Sequence, residues 1–142
     1  MFVQRVQCVW FTLAVDEGRG LIRMRRSAHR ITTEAELVAS LDRLVADLQA
    51  IVAPDQRGRY GLLQDMRDAP LLDKPELEAV QLRGLLPIRD GWRRSAILVQ
   101  TAIGKLQARR MTNKTRADAS PAGSVAVFDD ELEALNYLCG VP

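Results

Sequence analysis

Between residues 60 and 69 the chain reads Tyr-Gly-Leu-Leu-Gln-Asp-Met-Arg-Asp-Ala, apolar through Leu62 and Leu63 and then abruptly charged at Asp65, Arg67 and Asp68. A short apolar run that ends in acids, with helical patterns on both sides, reads as a buried parallel strand whose carboxyl end opens into a loop. Open α/β sheets place their sites at that end. The stretch therefore predicts an α/β domain that carries Asp65, Arg67 and Asp68 on the rim of its sheet.

The flanking patterns fit this frame. Thr33 followed by Glu36 makes a capping box, and Leu37, Leu41, Leu44, Leu48 and Ile51 recur at helical spacing until Pro54, Asp55 and Gly58 end the helix. After the strand, Asp73 with Glu76 gives a second capping signature, with Pro75 in the first turn, and Leu77, Val80, Leu85 and Leu86 predict a helix that stops before Pro87. Ser95–Thr101 follows as a strand, and Ile103, Leu106 and Met111 mark a third helix. Residues 112–123, rich in Thr, Asn, Ser, Pro and Gly, read as a loop. Ser124–Phe128 is a further short strand. Asp129 and Asp130 cap a last helix whose inner face is expected to carry Leu132, Leu135 and Leu138, with Gly140 as its stop.

At the amino end, Val6–Val15 is rich in β-formers and is followed by Asp16-Glu17-Gly18-Arg19-Gly20, a loop that turns at its glycines, and then by a second strand over Leu21–Ala28. The predicted order is ββαβαβαβα: a mixed, mostly parallel five-stranded sheet with four helices. With 142 residues the chain makes one domain, residues 1–142, with a core of its own.

Charge and cysteine usage narrow the function. The net charge of +2 gives no strong global field, so nucleic acid is not an expected partner. Cys8 and Cys139 lie far apart with no metal-ligand spacing, both reading as buried small hydrophobes, which points to a reduced, cytoplasmic protein. The longest uncharged apolar run, Val6–Val15, is too short to span a membrane.

The element order, the Asp65-Met66-Arg67-Asp68-Ala69 segment, the Ala96-Ile97-Leu98-Val99 strand and the Phe128-Asp129-Asp130 entry to the last helix resemble the STAS domain, the fold of the anti-sigma-factor antagonist SpoIIAA. They are more closely similar to its divergent bacterial SpoIIAA-like relatives. The resemblance implies a domain that docks partners, or in some relatives holds a nucleotide or an apolar ligand, rather than one that catalyses a reaction. It also implies a phosphorylated serine at the start of the helix after the third strand. Here Arg67–Pro75 contains no Ser or Thr, so there is no hydroxyl to accept the phosphoryl group. Asp68 and Asp73 bring fixed negative charge to the same loop. Ordinary capping explains that charge, and imitation of a phosphorylated state stays as its alternative.

The remaining constellations are modest. His29, the single histidine, reads as structural rather than as a base. Asp65, Asp68 and Asp73 could approach a cation, but Arg67 is the better partner for them, and neither metal nor cofactor is expected. Lys105, Arg109 and Arg110, continuing to Lys114 and Arg116, form a basic stretch. It is either a solvated helix end or a docking patch for an acidic partner or an anionic lipid headgroup. Trp92 fits an interface anchor and a core cover equally well.

The expectation is a non-catalytic regulatory or adaptor module that binds an unidentified protein partner through Asp65, Arg67, Asp68, Asp73 and Lys74. A carrier for a lipid-like or other apolar small molecule, as in Sec14-related relatives, is the alternative, and a homodimer stays open.

Overall fold

In the computed structural model, residues 1–72, 74–101, 104–106, 108–110 and 125–140 are described. The expectations for Asp73, Ile103, Met111, the 112–123 loop, Lys114 and Arg116 fall outside them.

Among the described residues six strands, not five, form one sheet in the order β1-β2-β3-β4-β5-β6. These are β1 (Val3–Gln7), β2 (Phe11–Asp16), β3 (Leu21–Arg26), β4 (Gly61–Asp65), β5 (Arg94–Leu98) and β6 (Val125–Phe128). The first three pair antiparallel and the rest parallel. The additional strand arises because the Val6–Val15 run, expected to be continuous, folds back at Cys8–Trp10. The Cys8 N–H donates to the Phe11 carbonyl at 2.9 Å, and the Ser27 N–H donates to the Trp10 carbonyl at 2.9 Å. Bonds to β2 and to the end of β3 thus hold a turn that no glycine or proline announces.

The second hairpin forms as predicted. At Gly20 the backbone has φ +64°, and a Cβ there would lie 2.8 Å from the Arg59 carbonyl oxygen, so only glycine fits without strain.

Helix α1 (Glu34–Ile51) begins at Thr33, whose hydroxyl accepts the Glu36 N–H. A 3₁₀ segment (Pro54–Arg59) leads into β4. Helix α2 (Pro75–Arg89) runs through Pro87 instead of ending before it. Pro87 removes only the N–H that would reach the Arg83 carbonyl, one bond near the end of the helix. The last carbonyls, open at any helix end, find donors elsewhere. Arg57 Nη1 donates to the Pro87 and Asp90 carbonyls, and Trp92 Nε1 donates to Ile88. Trp92 is 5% exposed and belongs to the core, which decides between its two readings. Residues 104–106 and 108–110 are helical, and α3 (Glu131–Leu138) is capped by Asp130.

Alternation along the strands divides the apolar side chains between the two faces of the sheet. Ile22, Met24 and Leu62 pack with Leu44, Leu48 and Val52 of the α1 region and Ile88 of α2. Leu21, Leu63, Ala96 and Leu98 pack with Ala134 and Leu138 of α3. The inner face of α3 is therefore the Ala134–Leu138 pair, one helical turn apart, with Leu135 partly buried. Leu132, expected inside, is 66% exposed. Cys139, also expected inside, follows the last turn of α3 and is exposed, while Cys8 sits half-buried in the β1–β2 turn rather than in mid-strand.

Candidate functional site

The carboxyl ends of β3 and β4 meet at one rim, where Arg25 is the register partner of Asp65. The Asp65 side chain is 1% exposed. It accepts from Arg67 through Nε at 3.0 Å, Nη2 at 2.8 Å and the backbone N–H at 3.2 Å. Burial pushes the Asp65 carboxyl up, but the hydrogen bonds from Arg67 and the charges of Arg67 and Arg25 together outweigh it and hold the group below its ordinary value. The same pairing raises Arg67.

Two further pairs extend the network. Arg25 Nη2 lies 2.8 Å from Asp68 Oδ2, with both side chains a little under half exposed. Arg67 Nη2 also lies 3.5 Å from Glu131 Oε2 in the first turn of α3. The sequence thus located Asp65, Arg67 and Asp68, and the fold brings these three together. Arg25 and Glu131 were missed as members. The signal for Arg25 was available: it is the last outward-alternating residue of a strand that has to pair with β4.

No protein-family model matches the chain, and no curated protein matches it. Among solved structures it is similar to an uncharacterized protein of the DUF3478 family from Shewanella loihica PV-4, described as having a SpoIIAA-like fold. The identity is 16%, the TM-score is 0.64, and the match covers 98% of this chain and 96% of that one. The fold is SpoIIAA-like.

Within this SpoIIAA-like fold the other expected site residues that are described lie apart from the rim network. Lys74 is the N-cap residue of α2 and makes no side-chain cap bond. It lines a small cavity on the α1/α2 side together with Arg26, His29 and Arg30. His29 Nε2 is 2.8 Å from Glu36 Oε2, which also accepts from Trp10 Nε1 at 3.1 Å. The hydrogen bonds from His29 and Trp10 hold the Glu36 carboxyl below its ordinary value.

The basic stretch is partly neutralised within the SpoIIAA-like fold itself. Arg110 Nη2 is 2.6 Å from Glu78 of α2, and Lys105 Nζ is 3.7 Å from Asp129. Arg109 is exposed. Among the described residues no group of three or more His, Cys, Asp or Glu side chains could hold a metal ion, and no helix is long and apolar enough to cross a membrane.

Proposed function

We propose that the chain is a non-catalytic regulatory or adaptor domain that recognises a protein partner at the rim formed by Arg25, Asp65, Arg67, Asp68 and Glu131. The observation that carries this reading is the division of labour in the network. Asp65 is buried and locked by Arg67, whereas Arg25 and Asp68 project their paired charges into solvent. A rigid charged rim on a buried anchor favours recognition by shape and charge, because its geometry is fixed before a partner arrives.

The rim lacks a hydroxyl between Arg67 and Pro75, so its state is set by fixed charge rather than by phosphorylation of that loop. The fold of the Shewanella loihica protein supports the architecture of this reading.

Affinity capture with the wild-type chain, Asp68→Lys and Arg109→Glu tests it. A partner held by the wild type and by Arg109→Glu but released by Asp68→Lys places docking at the rim. Retention of every captured protein by Asp68→Lys would refute the rim as the docking surface.

A further inference from the structure

Arg25 and Arg26 are adjacent, so their side chains leave β3 on opposite faces. Arg25 joins the rim network on the α3 side. Arg26 turns to the α1/α2 side, where it is 9% exposed and its Nε atom is buried without a hydrogen-bond partner. Burial holds this guanidinium below its ordinary value, with Cys8 opposing the shift. A guanidinium nitrogen buried without a partner is an unusual thing for a fold to keep, because that N–H has lost its water and gained no acceptor.

The surroundings supply the reason. Arg26 lines a cavity of about 100 Å³ with Arg30, Lys74, His29, Ile31 and Leu72. Among the described residues no carboxylate lines it, and no ion pair includes the side chain of Arg30 or Lys74. His29 is held by Glu36 from outside the lining. The cavity also lies beside two helix amino ends. Thr32 precedes the N-cap of α1, and Lys74 is the N-cap of α2. Unsatisfied N–H groups and the macrodipole make such ends favourable to negative charge. Since a water occupies about 30 Å³ of the liquid, the space suits a few waters or one tetrahedral oxyanion, not an extended chain.

We propose that this cavity is an anion site for a phosphate group, in which Arg26 and Arg30 supply guanidinium donors and Lys74 an ammonium. Arginine matches the paired oxygens of phosphate through its planar fork, and the bound dianion provides the counter-charge that Arg26 lacks. The phosphate is either free, on a small soluble ester, or on the headgroup of a phosphomonoester lipid. The inference stands apart from rim docking, since the two sites use opposite faces of the sheet and each can fail alone.

The test is calorimetric titration of the whole chain with inorganic phosphate, together with sedimentation against phosphatidylcholine vesicles with and without phosphatidic acid. Saturable phosphate binding is expected, weakened at least about tenfold in Arg26→Gln and in Arg30→Gln, equivalent to about 1.4 kcal/mol, and unchanged in Arg109→Gln. Arg30 is exposed, so its variant keeps the fold. Phosphate should also raise the melting temperature of the wild type and not that of Arg26→Gln. Binding to phosphatidic acid vesicles that depends on Arg26, without binding of free phosphate, assigns the lipid source. Absence of binding in both arms, or binding indifferent to both Arg26→Gln and Arg30→Gln, overturns the proposal.

Discussion

Asp65 at the end of β4 takes two guanidinium nitrogens of Arg67, at 3.0 and 2.8 Å, from a position that is 1% exposed. Two residues of one chain thus close a bidentate pair across a single intervening methionine, and Arg67 carries the loop with it. Removal of Arg67 leaves a buried carboxylate with Arg25 Nε, 4.0 Å away, as its remaining cation. Arg67→Ala is expected to cost about 1–3 kcal/mol in urea unfolding. Arg25→Ala, which breaks an exposed pair, should cost about 0–1 kcal/mol. Equal costs for the two would contradict the burial argument.

Acid stability follows from the same carboxyl. The folded Asp65 and Glu36 groups lie below their ordinary values, so unfolding takes up protons. Their stabilisation is complete above the unfolded carboxyl range, about pH 4, and is lost as pH falls through the lower folded values. Melting temperature should therefore stay level from neutrality down to about pH 5 and decline below pH 4. Asp65→Asn should melt lower at neutral pH and decline less steeply in acid. A parallel decline in wild type and variant would remove Asp65 from the account.

The α1–α2 contact depends on Gly84. A Cβ placed there would lie 2.5 Å from Leu41 Cδ1 and 3.1 Å from Leu41 Cβ, so the helices approach through the missing side chain. Gly84→Val is expected to destabilise by about 2–3 kcal/mol through overpacking. Gly58→Ala, whose new methyl would find its nearest neighbour 3.8 Å away, should stay within about 0.5 kcal/mol of wild type. Thermal melts of the two variants give the comparison.

Thr33 and Asp130 each accept an N–H from the third residue of the helix they cap, Glu36 and Glu133. Thr33→Ala and Asp130→Ala should each cost about 1 kcal/mol, and Asn at either position should restore most of it. Failure of Asn to rescue would mean the cap bond is not what the alanine removed.

Much of this architecture was legible in the residues because several independent local signals agreed. The Thr33–Glu36 box and the leucine spacing fixed α1, and the change from Leu62-Leu63 to Asp65 fixed both β4 and the direction of its rim. The β1–β2 turn was illegible for a physical reason. Its Cys8-Val9-Trp10 residues are β-formers, and the bonds that bend them come from Phe11 and from Ser27, a residue far along the chain. Pro87 misled in a similar way, since the donors that pair the carbonyls at the end of α2 sit outside the helix, on Arg57 and Trp92. Of the site, the Asp65–Arg67 pairing could be read locally. The unpartnered state of Arg26 could not, because it depends on what two helix ends and a distant loop bring near it.

The strand order carries a consequence for how the molecule is made. Among the described residues every strand lies next to its immediate predecessor in the chain, with none inserted between earlier ones. A growing polypeptide can lay the sheet down as a carpet is unrolled, each new strip finding its seam already in place. The entropy lost in bringing ends together then stays small at every step, since none of the described pairings has to await a segment not yet synthesised.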